Sequence, residues 1–162
     1  MHKNIQVIKV QSSRAQAMLT DRRILQRMNG QVRVSFDYDI PYIAGYSTNA
    51  STIYVDRHFK TKMGTTDILP VILMHEKTEK ALIDYYDLKY QAAHHLATYT
   101  EHMLTKKLGI DWIEYSKYCT RYAKILSHEH IKKVPADLDL TPYRDEKDYH
   151  LFDKLKEREK NG

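Results

Sequence analysis

The stretch DILPVILMHEKTEKALIDYYDLKYQAAHHLATYTEHMLTKKLG, residues 67–109, predicts two consecutive helices. Apolar residues recur along it with the spacing of helical turns. Pro70 falls in the first turn, where proline is tolerated, and Gly109 stands where helices commonly end. The predicted helices run from Thr66 or Asp67 to Tyr86, and from about Lys89 to Lys107.

The first of these helices combines an apolar face with ionisable residues. Successive residues lie about 100° apart around a helix axis, so the sequence predicts which side chains share a face. His75 falls in the middle of the apolar face, Glu79 lies one turn further at its edge, and Glu76 lies further round. The apolar face comprises Ile68, Val71, Met74, Thr78, Leu82 and Tyr86, and the opposite side comprises Lys77, Lys80 and Asp84.

The second helix repeats this arrangement. His94 and Glu101 flank its apolar face, two turns apart. His95 and His102 point roughly the other way, and His95 is predicted to face solvent. The apolar face comprises Tyr90, Ala97, Leu104 and Leu108.

Each helix therefore brings one imidazole and one carboxylate towards the core. Buried carboxylates persist when they are paired or bind a metal. His75 and Glu79 can reach one ion from a single helix, and His94 would complete three protein ligands, as in catalytic zinc sites. Glu101 would bind the ion directly or orient a ligand, and Glu76 would act as general base towards an activated water. The alternative is a buried hydrogen-bonded network without a metal.

The string HEKTE, residues 75–79, follows a predicted short sheet and resembles the active-site helix of minimal zincin metalloproteases. In that family the string is HExxH, with two zinc-binding histidines and a glutamate that activates water. The resemblance implies that His75 is the first ligand, Glu76 the base, and His94 or Glu101 the ligand from the next helix. It implies a metal-dependent hydrolase, with a peptide or protein as substrate.

The chain departs from this pattern at Glu79, which stands where the family has histidine. A carboxylate can bind zinc, and a site richer in glutamate also suits manganese or iron. The expected cofactor is therefore a divalent metal, with zinc favoured.

Four further segments resemble a group of small uncharacterised proteins from bacteria and their phages. The resemblance implies a compact, self-contained domain. The segments are FDYDIPYIAGYS (36–47), TIYVDRHF (52–59), MHEKTEKALID (74–84) and DLTPYRDEKD (139–148).

The rest of the chain predicts an α+β fold, with a small antiparallel sheet of about three strands followed by three to four helices. We expect one domain, residues 1–162, with residues 1–11 and 145–162 as peripheral segments. The second and third strands are predicted to form a hairpin around residues 47–51. Predicted elements are helix Ser12–Met28, strands Gln31–Tyr38, Ile40–Tyr46 and Thr52–Phe59, and helices Asp111–Ser127 and Asp145–Lys160.

The composition and charge limit the classes of protein to which this chain can belong. The chain has 162 residues, of which 42% are hydrophobic and 29% charged, as is typical of soluble globular proteins. No apolar run is long enough to span a bilayer, and no signal peptide is recognisable, so a cytoplasmic location is expected. Cys119 is the single cysteine and is predicted to pack rather than react. The net charge of +5 permits contact with nucleic acid.

Other polar groups are weaker candidates. Asp56 and His58 share one side of a strand and could add a metal ligand or hold the second nitrogen of one, or they could form a polar strand end. The segment His128-Glu129-His130 is rich in possible ligands, but the neighbouring lysines favour its interpretation as a solvated helix end. Asp137 and Asp139 alternate with leucines that would pack inward, and a metal role for the two aspartates is the less favoured alternative. The third helix carries the densest tyrosine patch, a possible nucleic-acid surface or part of the core: Tyr115, Tyr118, Arg121 and Tyr122.

These observations leave three hypotheses. The first is a zincin-like metallohydrolase, and the second is a non-enzymatic interaction protein, phage-linked, whose His/Glu cluster is structural. The third is a basic nucleic-acid-binding module.

Overall fold

A computed structural model describes residues 13–128 and 131–160, and the α+β class predicted from the sequence is confirmed. Within these residues a three-stranded sheet and a two-stranded ribbon are combined with seven helices. The strands are β1 (Arg33–Tyr38), β2 (Ala44–Tyr46), β3 (Thr52–Asp56), β4 (Lys62–Met63) and β5 (Thr66–Asp67). The helices are α1 (Ser13–Thr20), α2 (Arg22–Asn29), α3 (Leu69–Tyr86), α4 (Tyr90–Lys107), α5 (Trp112–His128), α6 (Thr141–Asp145) and α7 (Tyr149–Lys160).

The main sheet is mixed, whereas the sequence predicted an antiparallel one. Its strand order is β1-β3-β2. The predicted hairpin is confirmed, since β2 and β3 pair antiparallel, but β1 pairs parallel with β3. All five residues of β3 are buried, so this strand takes the central place, and the other two strands cover its edges.

The predicted helix Ser12–Met28 is two helices that meet at Asp21. The Asp21 carboxylate accepts a hydrogen bond from the backbone N–H of Arg23 at 2.8 Å and so caps α2. An aspartate that caps a new helix ends the preceding one, because its own backbone leaves the helical conformation. The predicted cap Ser12 and the predicted segment 1–11 lie outside the described residues.

Helices α3 and α4 form the hairpin that the sequence predicted. Asp87 ends α3 in the left-handed conformation, with φ of 50°, and its N–H donates to the Ile83 carbonyl. Gly109 follows α4 with φ of 70°. Small side chains let the two helices approach closely, because they leave room for the facing backbone. Those that are fully buried are Ala81, Ala93 and Ala97.

Helix α3 is buried on more sides than its apolar pattern predicted. Lys80 was placed on the exposed side, yet it is only 5% exposed. Its ammonium group lies 2.9 Å from carboxylate oxygens of both Asp84 and Asp139. The segment around Asp139 covers this side of α3, and two carboxylates make burial of the ammonium tolerable.

The segment after α5 packs along the edge of β2, as its alternating leucines predicted. Leu138 is buried, and the backbone N–H of Asp139 donates to the Tyr46 carbonyl at 2.9 Å. Leu138 belongs to a buried apolar cluster with Ile40 and Tyr143, and helix α7 packs against this cluster through Leu151 and Leu155. The C-terminal helix that was predicted to be peripheral is therefore docked on the body of the protein. No helix among the described residues has the length and apolar character needed to cross a membrane.

Candidate metal centre

Three side chains from α3 and α4 bring one ligand atom each to a common point. His75 Nε2 lies 3.1 Å from Glu79 Oε2 and 3.1 Å from His94 Nδ1. The edge between His94 Nδ1 and Glu79 Oε2 measures 2.9 Å. The convergence predicted for these residues is confirmed, and the three atoms form a nearly equilateral triangle.

This triangle fits a divalent metal ion. Tetrahedral zinc with bonds of about 2.0–2.1 Å separates its ligand atoms by about 3.3–3.4 Å, only slightly more than the distances seen here. Two imidazole nitrogens and a carboxylate oxygen are also an ordinary zinc donor set. Among the described residues, this is the group whose donor atoms could hold a metal ion.

The Glu101 carboxylate contacts the other ring nitrogen of His75, Nδ1, which is not part of the triangle. Its Oε2 atom is 2.7 Å from His75 Nδ1, and its Oε1 atom accepts a hydrogen bond from the Tyr115 hydroxyl. The sequence allowed Glu101 two roles, direct ligation or orientation of a ligand. The contacts correspond to the second, because a carboxylate on the far nitrogen fixes the ring and the tautomer of a metal-binding histidine.

Two further tyrosines surround the triangle. The Tyr46 hydroxyl donates to Glu79 Oε1 at 2.8 Å, which leaves Oε2 to face the two imidazoles. The Tyr90 hydroxyl lies 3.2 Å from His94 Nδ1, one helical turn before it. The His94 side chain is 39% exposed, whereas that of Glu79 is 4% exposed. The triangle therefore opens to solvent on its His94 side.

Charge and burial set the protonation of the triangle. Burial alone would lower the pKa of His75, but the carboxylates of Glu101 and Glu79 raise it well above its usual value. Burial alone would raise the pKa of Glu79, but hydrogen bonds from His75 and His94 lower it. His75 is therefore an imidazolium between two carboxylates, and a metal ion would take the place of its Nε2 proton.

Glu76 follows His75 on α3, and its side chain lines a cavity bounded by α2, α3 and the sheet. Its side chain is 9% exposed, and it has no hydrogen bond or ion pair with any residue that the structure describes. Burial, with the neighbouring Glu79 charge, raises the pKa of Glu76 to about 8. A carboxyl group that titrates near neutral pH can both take and return a proton.

No family model, curated protein or solved structure matches this chain.

The weaker candidates lie away from the triangle. Asp56 accepts backbone hydrogen bonds from Ile40 at 2.7 Å and from His58 at 2.8 Å, so it holds a strand end. The Asp139 carboxylate pairs with Lys80. The side chains of His128-Glu129-His130 lie outside the described residues.

The predicted tyrosine patch on α5 belongs largely to the core. Tyr115 is 1% exposed, and Tyr118 donates to the Lys60 carbonyl at 2.7 Å. Tyr122 packs edge-on against Phe59, with ring centroids 5.0 Å apart. Burial raises the pKa of Cys119 to about 12, so the thiol stays protonated as a packing group.

The tyrosines around the cluster were missed as site residues. Tyr46 comes from β2 and Tyr115 from α5, and no sequence spacing links either to the helix hairpin. Tyr90 had a detectable signal, because it precedes His94 by four residues and so lies on the same face of α4. It was assigned only to the apolar face.

Replacing Glu101 tests its role behind His75. We expect Glu101→Gln to weaken zinc binding about 10- to 100-fold, the usual cost of losing a carboxylate behind a metal-binding histidine. Glu114→Gln, at an exposed position of α5, is the matched control and should leave affinity unchanged. Isothermal titration with zinc measures both. Complete loss of binding would place Glu101 among the ligands, and unchanged affinity would remove its orienting role.

Proposed function

We propose that this chain is a zincin-like metal-dependent hydrolase that cleaves a peptide or a related amide bond. The observation that carries the proposal is the triangle of His75 Nε2, Glu79 Oε2 and His94 Nδ1, with edges of 2.9 to 3.1 Å. It supplies three protein ligands and leaves one side open, the arrangement of a catalytic rather than a structural zinc site. A bound zinc ion would polarise a carbonyl group and lower the pKa of water.

The protein residues provide positioning and proton transfer. Glu101 holds the ring of His75, and Tyr46 holds the carboxylate of Glu79, so the donor atoms are fixed before an ion binds. Glu76 takes a proton from the attacking water and returns it to the leaving amine. A nearby divalent charge would lower the pKa of Glu76 and make it a better base. Tyr90 is buried, and its hydroxyl, 3.2 Å from His94 Nδ1, would be the donor nearest to a substrate oxygen bound beside that ligand.

A structural role for the cluster is the second candidate function. His75 lies between two carboxylates, and each carboxylate accepts a hydrogen bond from a tyrosine. Such a network satisfies its own charges and could serve a non-enzymatic interaction protein by holding the helix hairpin together. Zinc would then add stability without turnover.

Glu76→Gln separates the two candidates. For a hydrolase we expect the rate of peptide cleavage to fall about 10²- to 10⁴-fold, because the general base is lost. Zinc affinity should stay within about threefold of the wild type, since Glu76 supplies no ligand atom. Cleavage of a mixed peptide library by zinc-loaded protein, read by mass spectrometry, measures the rate, and Glu114→Gln is again the control. A wild-type protein that binds zinc but cleaves no peptide would reject the hydrolase and support the structural role.

A further inference from the structure

The solvent face of α5 carries a row of cations. Lys117, Arg121 and Lys124 are exposed and follow one another at helical spacing. At about 100° per residue, the three positions fall within about 60° of one another around the helix axis. They lie opposite the face that buries Tyr115 and Leu126. The row therefore extends for about 10 Å along the outer side of the helix.

Two further cations adjoin this row where the chain enters the β4-β5 ribbon. Lys60 and Lys62 are exposed, and the Tyr118 hydroxyl donates to their backbone carbonyls at 2.7 and 3.2 Å. The Arg121 guanidinium lies over the ring of the same tyrosine, 5.5 Å from its centroid. Tyr118 thus joins the ribbon to α5. The cations of both elements form one surface, the α5–ribbon surface, which comprises Lys60, Lys62, Lys117, Arg121 and Lys124.

Positive charge is in excess on the α5–ribbon surface. None of its cations forms an ion pair with a residue in the ranges 13–128 and 131–160. The neighbouring carboxylates are fewer: Asp67 and Asp111 each accept a backbone hydrogen bond, and Glu114 lies in the first turn of α5. Exposed cations without counter-charges create a positive potential that attracts a polyanion.

The aromatic and apolar residues of α5 favour a nucleic-acid duplex as this polyanion. A helix that binds a membrane surface presents a continuous apolar face. The apolar face of α5 is packed in the core, and its exposed Ile113 and Ile125 lie near opposite ends of the helix. A single strand needs open aromatic rings on which bases stack. Here Tyr118 and Tyr122 pack against each other and against Phe59.

We propose that the α5–ribbon surface binds the sugar–phosphate backbone of duplex DNA without reading its sequence. Guanidinium and ammonium groups bind phosphate oxygens through charge-assisted hydrogen bonds, and each contact releases counterions from the DNA. The surface offers charges rather than the neutral polar groups that contact RNA 2′-hydroxyls, so DNA is the favoured duplex. No residue of the candidate metal centre belongs to it, so the inference goes beyond the proposed hydrolase function and does not rest on it.

The salt dependence of DNA binding tests the surface. A short fluorescent DNA duplex is titrated with the full chain, and fluorescence anisotropy gives the association constant at several salt concentrations. For four or five phosphate contacts, we expect the logarithm of this constant to fall against the logarithm of salt with a slope of about −3.6 to −4.5. The affinity should then fall about 150- to 500-fold between about 50 and 200 mM salt.

Neutral variants locate the contacts on both elements. Replacing Lys117, Arg121 and Lys124 together by Gln should reduce the magnitude of the slope by about 2.7, since each lost phosphate contact removes about 0.9. Lys60→Gln combined with Lys62→Gln should reduce it by about 1.8, because the ribbon contributes to the same surface. All five side chains are exposed, so the fold should be retained, and circular dichroism checks this.

A matched control separates this surface from the net charge of the chain. Arg22→Gln, Lys89→Gln and Lys154→Gln together remove the same charge from exposed positions on other elements, and the slope should not change. An equal reduction in the control and in the α5 variant would overturn the surface, because net charge alone would then explain binding. Absence of DNA binding at about 50 mM salt would also overturn it. So would tighter binding of phosphatidylserine vesicles, of single-stranded DNA or of an RNA duplex.

Discussion

Zinc added to the metal-free protein is expected to bind with one ion per chain and to raise its Tm, and His75→Ala is expected to abolish both effects. In the proposed site His75 would provide one of three ligand atoms, and the Glu101 carboxylate contacts its other ring nitrogen. At a free zinc concentration about a thousand times Kd, binding contributes about 4 kcal/mol of stability. For a chain of this length that corresponds to a rise in Tm of about 8–16 °C.

A second variant distinguishes loss of the site from loss of the fold. His75→Ala leaves Glu79 and Glu101 facing a gap, so it is expected to destabilise the metal-free protein as well. Glu79→Gln keeps the shape of the side chain and a hydrogen-bond acceptor for Tyr46. It should weaken zinc binding about a hundredfold or more, since in zinc-finger peptides about 10–16 kcal/mol of zinc affinity is shared among four protein ligands.

Calorimetric titration and thermal unfolding with and without zinc measure these effects. His95→Ala is the matched control, because His95 is exposed on the same helix as His94 and should leave affinity and Tm unchanged. Zinc affinity that survives in both Glu79→Gln and His75→Ala would show that the ion binds elsewhere. The metal-centre proposal would then fail.

The helix hairpin could be predicted because its information is local. The spacing of 3.6 residues per turn places His75 and Glu79 on one face, and a three-residue connection forces α4 to return beside α3. With both apolar faces turned inward, His94 has to meet the pair on α3. The sequence could not decide between a ligand and an orienting role for Glu101, because that depends on which nitrogen of His75 the carboxylate approaches.

What the sequence could not predict depends on contacts between distant segments. The parallel pairing of β1 with β3 requires β3 to lie between β1 and β2, and an alternating apolar pattern does not specify strand order. The burial of Lys80 depends on Asp139, which is 59 residues away. The helical pattern of α3 correctly places Lys80 opposite the apolar face. It does not show that the segment around Asp139 covers that side of the helix.

Metal-free protein is expected to lose stability as the pH rises from 6.5 to 8, because the folded cluster holds protons that the unfolded chain releases. The ordinary pKa of histidine is 6.5, and neighbouring carboxylates raise that of His75 well above this value. The ordinary pKa of glutamate is 4.5, and burial raises that of Glu76 to about 8. A raised folded-state pKa gives stability that is present below the unfolded-state pKa and lost as the pH rises through the folded-state pKa.

The loss should amount to about 1.4 kcal/mol for each pH unit and each additional proton bound by the folded state. Urea unfolding at pH 6.5, 7.2 and 8 measures the slope. Glu76→Gln should remove the contribution of one proton, whereas His95→Ala, at an exposed site, should not change the slope. Saturating zinc should reverse the trend, because its ligands must be deprotonated and its affinity rises with pH. A metal-free protein whose stability is constant or increases over this range would show that His75 and Glu76 do not hold these protons.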